Sequence, residues 1–208
     1  MTDEKHSIDW QYANRLSESR EYRCFYCDRE IASDYGYFGH GEFPNPNRSW
    51  EGPQRQTAWI YICFNCLFPT FFLGEAQIPR SLSGRRVEGV PDDVAELLLE
   101  SRRALAANAP TAAAMALRKI LMNVAVSEGA GTGRDWNFEK YVDYLAENGL
   151  LPPKGRGWVD RIRTFGNEAA HEIHQVQQED AELALNRVIS MLHFMYEMAD
   201  ENDPPDGK

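Results

Sequence analysis

Apolar residues follow two different regimes along the chain. Up to about residue 73 they come in short aromatic-rich clusters, such as Thr57-Ala58-Trp59-Ile60-Tyr61-Ile62, separated by glycine, proline and polar residues. From Pro91 onward they recur with the period of an amphipathic helix. In that second half Asp92 or Asp93 caps a predicted helix running Val94–Ala106, which Asn108, Ala109 and Pro110 break. Thr111 caps the next, Ala112–Ser127, with Met115, Leu117, Ile120, Leu121 and Val124 as its apolar set. A third helix spans Asn137–Glu147, a fourth starts near Arg156, and a fifth runs Glu179–Glu201 with Ala184, Val188, Met191, Leu192 and Met195 on its buried side. Short loops between them predict an antiparallel bundle, so the expected fold class is mainly α.

The first half reads differently. Residues 1–22 are polar and hold few apolar anchors beyond Trp10 and Tyr12, which predicts an arm or a short helix. Cys24 and Cys27 form one Cys-x-x-Cys knuckle, and Cys63 and Cys66 form another. Two such knuckles supply four thiolates, the complete tetrahedral shell of a structural zinc ion. His40 is a weaker candidate ligand in a loop rich in Gly36, Gly39, Gly41, Pro44 and Pro46. Residues 23–73 are therefore read as a small β zinc ribbon that depends on its metal for stability. Residues 74–91, dense in Gly, Pro and Ser, read as a linker to the helical segment 92–201, and residues 202–208 as a disordered tail.

Charge narrows the partners. Thirty-two acidic against 22 basic residues give 208 residues a net charge of −10. That argues against sequence-independent coating of nucleic acid, which needs basic surface. It leaves room for a local basic pocket such as Lys154, Arg156, Arg161 and Arg163. No apolar leader follows the first residues, and the most apolar run, Tyr61–Leu73, is too short to span a bilayer. With four cysteines read as metal ligands, the expectation is a cytoplasmic protein with no membrane partner.

Within the fourth helix, Arg163, Asn167 and His171 stand at i, i+4 and i+8, so they share one face. A guanidinium, an amide and an imidazole can together hold a phosphodiester, or form a buried polar network. Arg118, on the apolar face of the second helix, is expected to pair with an acidic residue there.

Three segments carry a resemblance to a family: Ser101 to Leu121, Asn148-Gly149-Leu150-Leu151-Pro152, and Arg163 to His171. In that order they resemble the domain-of-unknown-function family DUF4145, which is similar to the HEPN superfamily of helical bundles. The resemblance covers about residues 60 to 200. It implies an antiparallel HEPN-like helical bundle behind the zinc ribbon, a homodimer or a subunit of an antiphage-defence or restriction complex, and RNA as substrate. It implies Asn167 and His171 as the polar part of a metal-independent ribonuclease motif, with Arg163 as its arginine. The gap between Arg163 and His171 is longer than in that motif. Eight residues at about 1.5 Å each separate their Cα atoms by about 12 Å within one helix.

Two readings follow. In one, His171 is the general acid or base, Arg163 stabilises the transition state, and Asn167 orients the phosphate at a dimer cleft. In the other, the same fold binds nucleic acid or protein without turnover, as an accessory module, and Glu168 and Glu172 repel a polyanion. Phe25, Tyr26, Trp59 and Phe64 either stack bases or form the ribbon's own core.

Overall fold

The structure, a computed structural model, describes residues 8–43, 54–151, 155–171 and 176–198. Side chains at 40–43, 54–57 and 164–171 lie outside what is described. The expected tail at 202–208 falls outside the described residues. The chain divides into two compact units, Met1–Leu82 and Ser83–Lys208.

The first unit is a five-stranded antiparallel meander in the order β1-β2-β3-β4-β5. Its strands are β1 (Asn14–Arg23), β2 (Glu30–Phe43), β3 (Gln54–Ile62), β4 (Pro69–Leu73) and β5 (Ala76–Ile78). This corrects the mainly α expectation: a five-stranded antiparallel sheet stands beside the helices, so the protein is mixed α/β. Two segments account for the difference. Asn14–Arg23 reads as a polar arm because only Leu16, Arg20, Tyr22 and Arg23 of its row are withdrawn from solvent, and two of the four are arginines. The guanidinium of Arg20 lies 4.6 Å from the Phe72 ring centre and forks onto Glu75. A cation over an aromatic face can occupy a core-facing position that apolar patterning assigns to solvent.

β2 reads as a loop because glycine is depleted in strands. Gly36 is there for close approach: a Cβ at that position would stand 1.8 Å from the Ile60 carbonyl oxygen. Register then runs Gly36 opposite Tyr61, Phe38 opposite Trp59, and Trp59 opposite Phe72. The resulting face buries Tyr22, Tyr61 and Phe72 beside Cys24 and Cys63, with Leu16, Ile31 and Trp59 packed against them.

The second unit holds α1 (Asp92–Ala106), α2 (Pro110–Ser127), α3 (Phe138–Glu147), α4 (Arg156–His171) and α5 (Gln178–Leu192), the last continuing into a π-helical turn over His193–Glu197. α2 is central and packs on all four others. Its Ala113, Ala114, Leu117, Ile120, Leu121, Val124 and Ala125 are fully buried, whereas Met115 is half exposed and does not belong to its inner face. α2 starts at Pro110, one residue before the expected cap, because proline at a first helical position loses no hydrogen bond. Asn137 caps α3 by accepting from the Lys140 amide.

Part of the stretch read as a linker is fastened to this unit. Val87 enters its core. The buried Arg102 donates to the carbonyls of Ser83 and Gly84. Glu197, on the π-helical turn, accepts from both Nη atoms of Arg85 and from the Glu88 amide.

Candidate functional site

Both cysteine knuckles sit at the turns of hairpins, one between β1 and β2 and the other between β3 and β4. Their backbones match. The Cys24 amide donates to the Arg29 carbonyl and the Asp28 amide to the Cys24 carbonyl; the Cys63 amide donates to Phe68 and the Leu67 amide to Cys63. Asp28 and Leu67, each directly after a second cysteine, both adopt positive φ, at 61° and 62°. That left-handed residue turns the chain back into the next strand.

Facing each other, the two knuckles bring all four sulfurs within 4.8 Å of one another. Cys24 Sγ lies 3.7 Å from Cys66 Sγ, and Cys27 Sγ lies 3.7 Å from Cys63 Sγ. A disulfide would need about 2.05 Å. A tetrahedron of sulfurs around an ion at about 2.3 Å has edges of about 3.8 Å. The spacing therefore fits a structural metal and not a cross-link. Cys24 and Cys63 are fully buried, Cys27 and Cys66 partly so.

The surroundings favour bound thiolates. Amides of Tyr26 and Cys27 serve the Cys24 sulfur, and those of Asn65 and Cys66 serve Cys63. Considered as thiols alone, the group does not ionise together. The Cys24 thiol pulls Cys63 down to about 5. The same bond, with burial, pushes Cys24 up. Burial pushes Cys66 up to about 12. Only a cation at the centre holds four thiolates at once. Polar ties fix the frame: Arg29 Nη1 donates to Asn65 Oδ1 at 2.7 Å, and Trp10 Nε1 to the Leu67 carbonyl at 2.9 Å.

The ribbon aromatics divide between core and surface. Tyr26 stacks on Phe68 at 4.7 Å, with Phe25 edge-on to it. Trp59 stacks on Tyr61 at 6.0 Å, inside the cluster. Phe64 is exposed and lies against Tyr35. His40 cannot be placed as a ligand, since its side chain lies outside the described residues.

In the second unit α4 runs unbroken from Arg156 through Gly166 to His171. Arg163, Asn167 and His171 thus belong to one regular helix; the Asn167 and His171 side chains lie outside the described residues, as do Glu168 and Glu172. Arg163 Nη1 is 3.4 Å from Glu139 Oε1, and its Nε is 3.9 Å from Asp160 Oδ1. Arg156 pairs with Asp143. The acids expected to pair with Arg118, Glu168 and Glu172, have side chains outside the described residues. Arg118 Nη1 donates to the Arg163 carbonyl at 2.7 Å, and its guanidinium lies 4.3 Å from the Phe138 ring centre. Burial lowers its affinity for the proton. Nothing in the residue pattern marks this placement, because the acceptor is a backbone carbonyl.

A sheet that gathers four cysteines is followed by a helical unit, with five α-helices among the described residues. The sequence pattern of the family described as Domain of unknown function (DUF4145) matches residues 99–204, and the chain belongs to that family. None of the curated proteins and none of the solved structures compared with the chain matches it. Among the described residues no helix is long and apolar enough to cross a membrane.

Proposed function

We propose that the chain is a non-catalytic binding module with a structural zinc ion, working in the cytoplasm as an accessory subunit of a defence or restriction complex. Zinc is the choice for the metal because a closed shell of four thiolates in tetrahedral spacing suits it and leaves no position for substrate. The observation that carries the non-catalytic reading is the continuity of α4 through Gly166. A regular helix keeps Arg163 and His171 about 12 Å apart along its axis. Arg163, moreover, leans toward the helix N-terminus, away from the histidine. The two do not grip one phosphate within a single chain.

A metal-independent endoribonuclease is the second reading, favoured by the Arg163, Asn167 and His171 series along α4; it requires a second copy's Arg163 to approach His171. Incubating the purified chain with mixed RNA and excess EDTA separates the two. The binding reading expects intact RNA. Cleavage that survives chelation and disappears in both His171→Ala and Arg163→Ala would sink it.

A further inference from the structure

We propose that the Tyr22 hydroxyl, backed by that of Thr70, is a hydrogen-bond donor to the Cys63 sulfur of the four-cysteine metal centre. This rests on the metal reading above and assigns positioning residues to that centre. Four observations carry it.

Tyr22 and Thr70 are buried, at 6% and 1% exposure. Tyr22 Oη and Thr70 Oγ1 nonetheless complete no hydrogen bond among the described residues. A hydroxyl shut away from water without a partner costs free energy, so native cores rarely keep one. Two side by side call for an acceptor.

The Tyr22 ring lies against the second hairpin. Tyr22 leaves β1, but its ring is edge-on to that of Phe72 on β4, with centres 5.3 Å apart, and 6.3 Å from that of Tyr61 on β3. Thr70, on β4 and paired with Tyr61 across the ladder, lies near enough to act on the hydroxyl, although the two oxygens are not in hydrogen-bond geometry. The hydroxyl end therefore belongs to the hairpin that carries Cys63 and Cys66. Cys63 is the fully buried sulfur of that pair and shares its core with Tyr22.

Tyr61 supplies the contrast. It stands two residues before Cys63, as Tyr22 stands two before Cys24. Its hydroxyl has an acceptor, the Glu18 carbonyl at 3.5 Å. Of these two equivalent hydroxyls only that of Tyr22 lacks one among the described residues. For packing alone a phenylalanine would serve at position 22, as it does at position 72 of the same core.

The chemistry of the acceptor completes the case. A sulfur bound to a metal is a thiolate, and a thiolate accepts charge-assisted hydrogen bonds. In a loaded centre small side-chain turns close a chain: Thr70 donates to the Tyr22 oxygen, and Tyr22 donates to Cys63. Each hydroxyl then has a partner, and each bond polarises the next. The proton stays available for donation. Burial most of all, and then the sulfurs of Cys63, Cys24 and Cys66, push the Tyr22 pKa up against the pull of Thr70. Groups that hydrogen-bond to metal ligands orient them and tune the ion.

The test loads the full-length chain with cobalt(II) and measures metal content before any spectrum is read. A hydrogen bond lowers the energy of the sulfur lone pairs, so its loss moves the sulfur-to-cobalt charge-transfer band to longer wavelength. Tyr22→Phe is expected to show that shift and to bind zinc about tenfold more weakly. Thr70→Val should move the band the same way by less, and Thr70→Ser should restore the wild-type position. Tyr61→Phe should leave it unmoved. A cobalt-loaded Tyr22→Phe with an unmoved band overturns the proposal, as does an equal shift in Tyr61→Phe. Should Tyr22→Phe fail to fold, cadmium-113 in the wild-type chain decides: the Tyr22 hydroxyl proton couples to cadmium through the Cys63 sulfur if the proposal holds, and does not if it fails. A wild-type chain that takes up no metal overturns the metal reading and this proposal with it. A loaded chain with an unmoved band overturns the proposal alone, so the two failures are told apart.

Discussion

Tyr22 and Tyr61 occupy equivalent places in two copies of one device. Each is the last buried aromatic before a knuckle, two residues ahead of Cys24 or Cys63, and their rings lie 6.3 Å apart beneath the sulfurs. Around them the pattern Tyr-x-Cys-Phe-x-Cys occurs twice, each time on a hairpin and each time followed by a residue at positive φ. Each hairpin therefore gives two ligands and half of the small core below them.

Metal removal should unfold the first unit and spare the second. A structural four-thiolate site contributes on the order of 10 kcal/mol to a fold that has only a few large side chains of its own. Chelation, or Cys24→Ser, is expected to abolish the near-ultraviolet signal of the ribbon aromatics while helical circular dichroism persists. Elemental analysis should find one metal ion per chain before treatment.

Gly36→Ala should be as damaging to the ribbon as loss of a cysteine. The added methyl would meet the Ile60 carbonyl oxygen at 1.8 Å, so β2 and β3 must separate beside the second knuckle. The expected readout is metal that dialyses away from the variant and stays with the wild type.

Leu121→Ala should destabilise the helical unit by about 3 kcal/mol, the usual result of emptying a sealed core position. Leu121 is fully buried on α2, the helix that touches all the others. Met115→Ala, on the same helix but half exposed, should cost far less. Urea unfolding followed by helical circular dichroism compares them.

Acid should loosen the π-helical turn in a defined window. Arg85, with the Glu88 amide and His193, holds the Glu197 carboxyl down at about 2, against 4.5 ordinarily. A carboxyl lowered in the folded state contributes stability that is fully present above its unfolded value and is lost as pH falls through the folded one. The loss should therefore run from about pH 4.5 to about pH 2. Glu197→Gln should already lack that contribution at neutral pH and show a flatter acid profile in thermal melts.

How far the sequence disclosed this depends on what each residue touches. The metal site was legible because its chemistry needs only a spacing within each knuckle, and Cys24, Cys27, Cys63 and Cys66 converge. The helices were legible from periodicity; α1, α2 and α3 begin within about two residues of where capping and proline signals put them. The sheet was not, because Arg20 and Gly36 take positions that rules of residue preference give to other types. Each is explained by a neighbour distant in sequence, Phe72 for one and the Ile60 carbonyl for the other. The contact of Arg118 with the Arg163 carbonyl was not legible for the same reason: a main-chain oxygen is offered by every residue and announced by no residue type.

Because each hairpin supplies only two sulfurs, neither half alone offers a complete four-sulfur shell. The β2–β3 ladder joins the halves from Gly36 and Tyr61 outward. A metal held by all four cysteines would thus tie the two hairpins to each other as well as to itself.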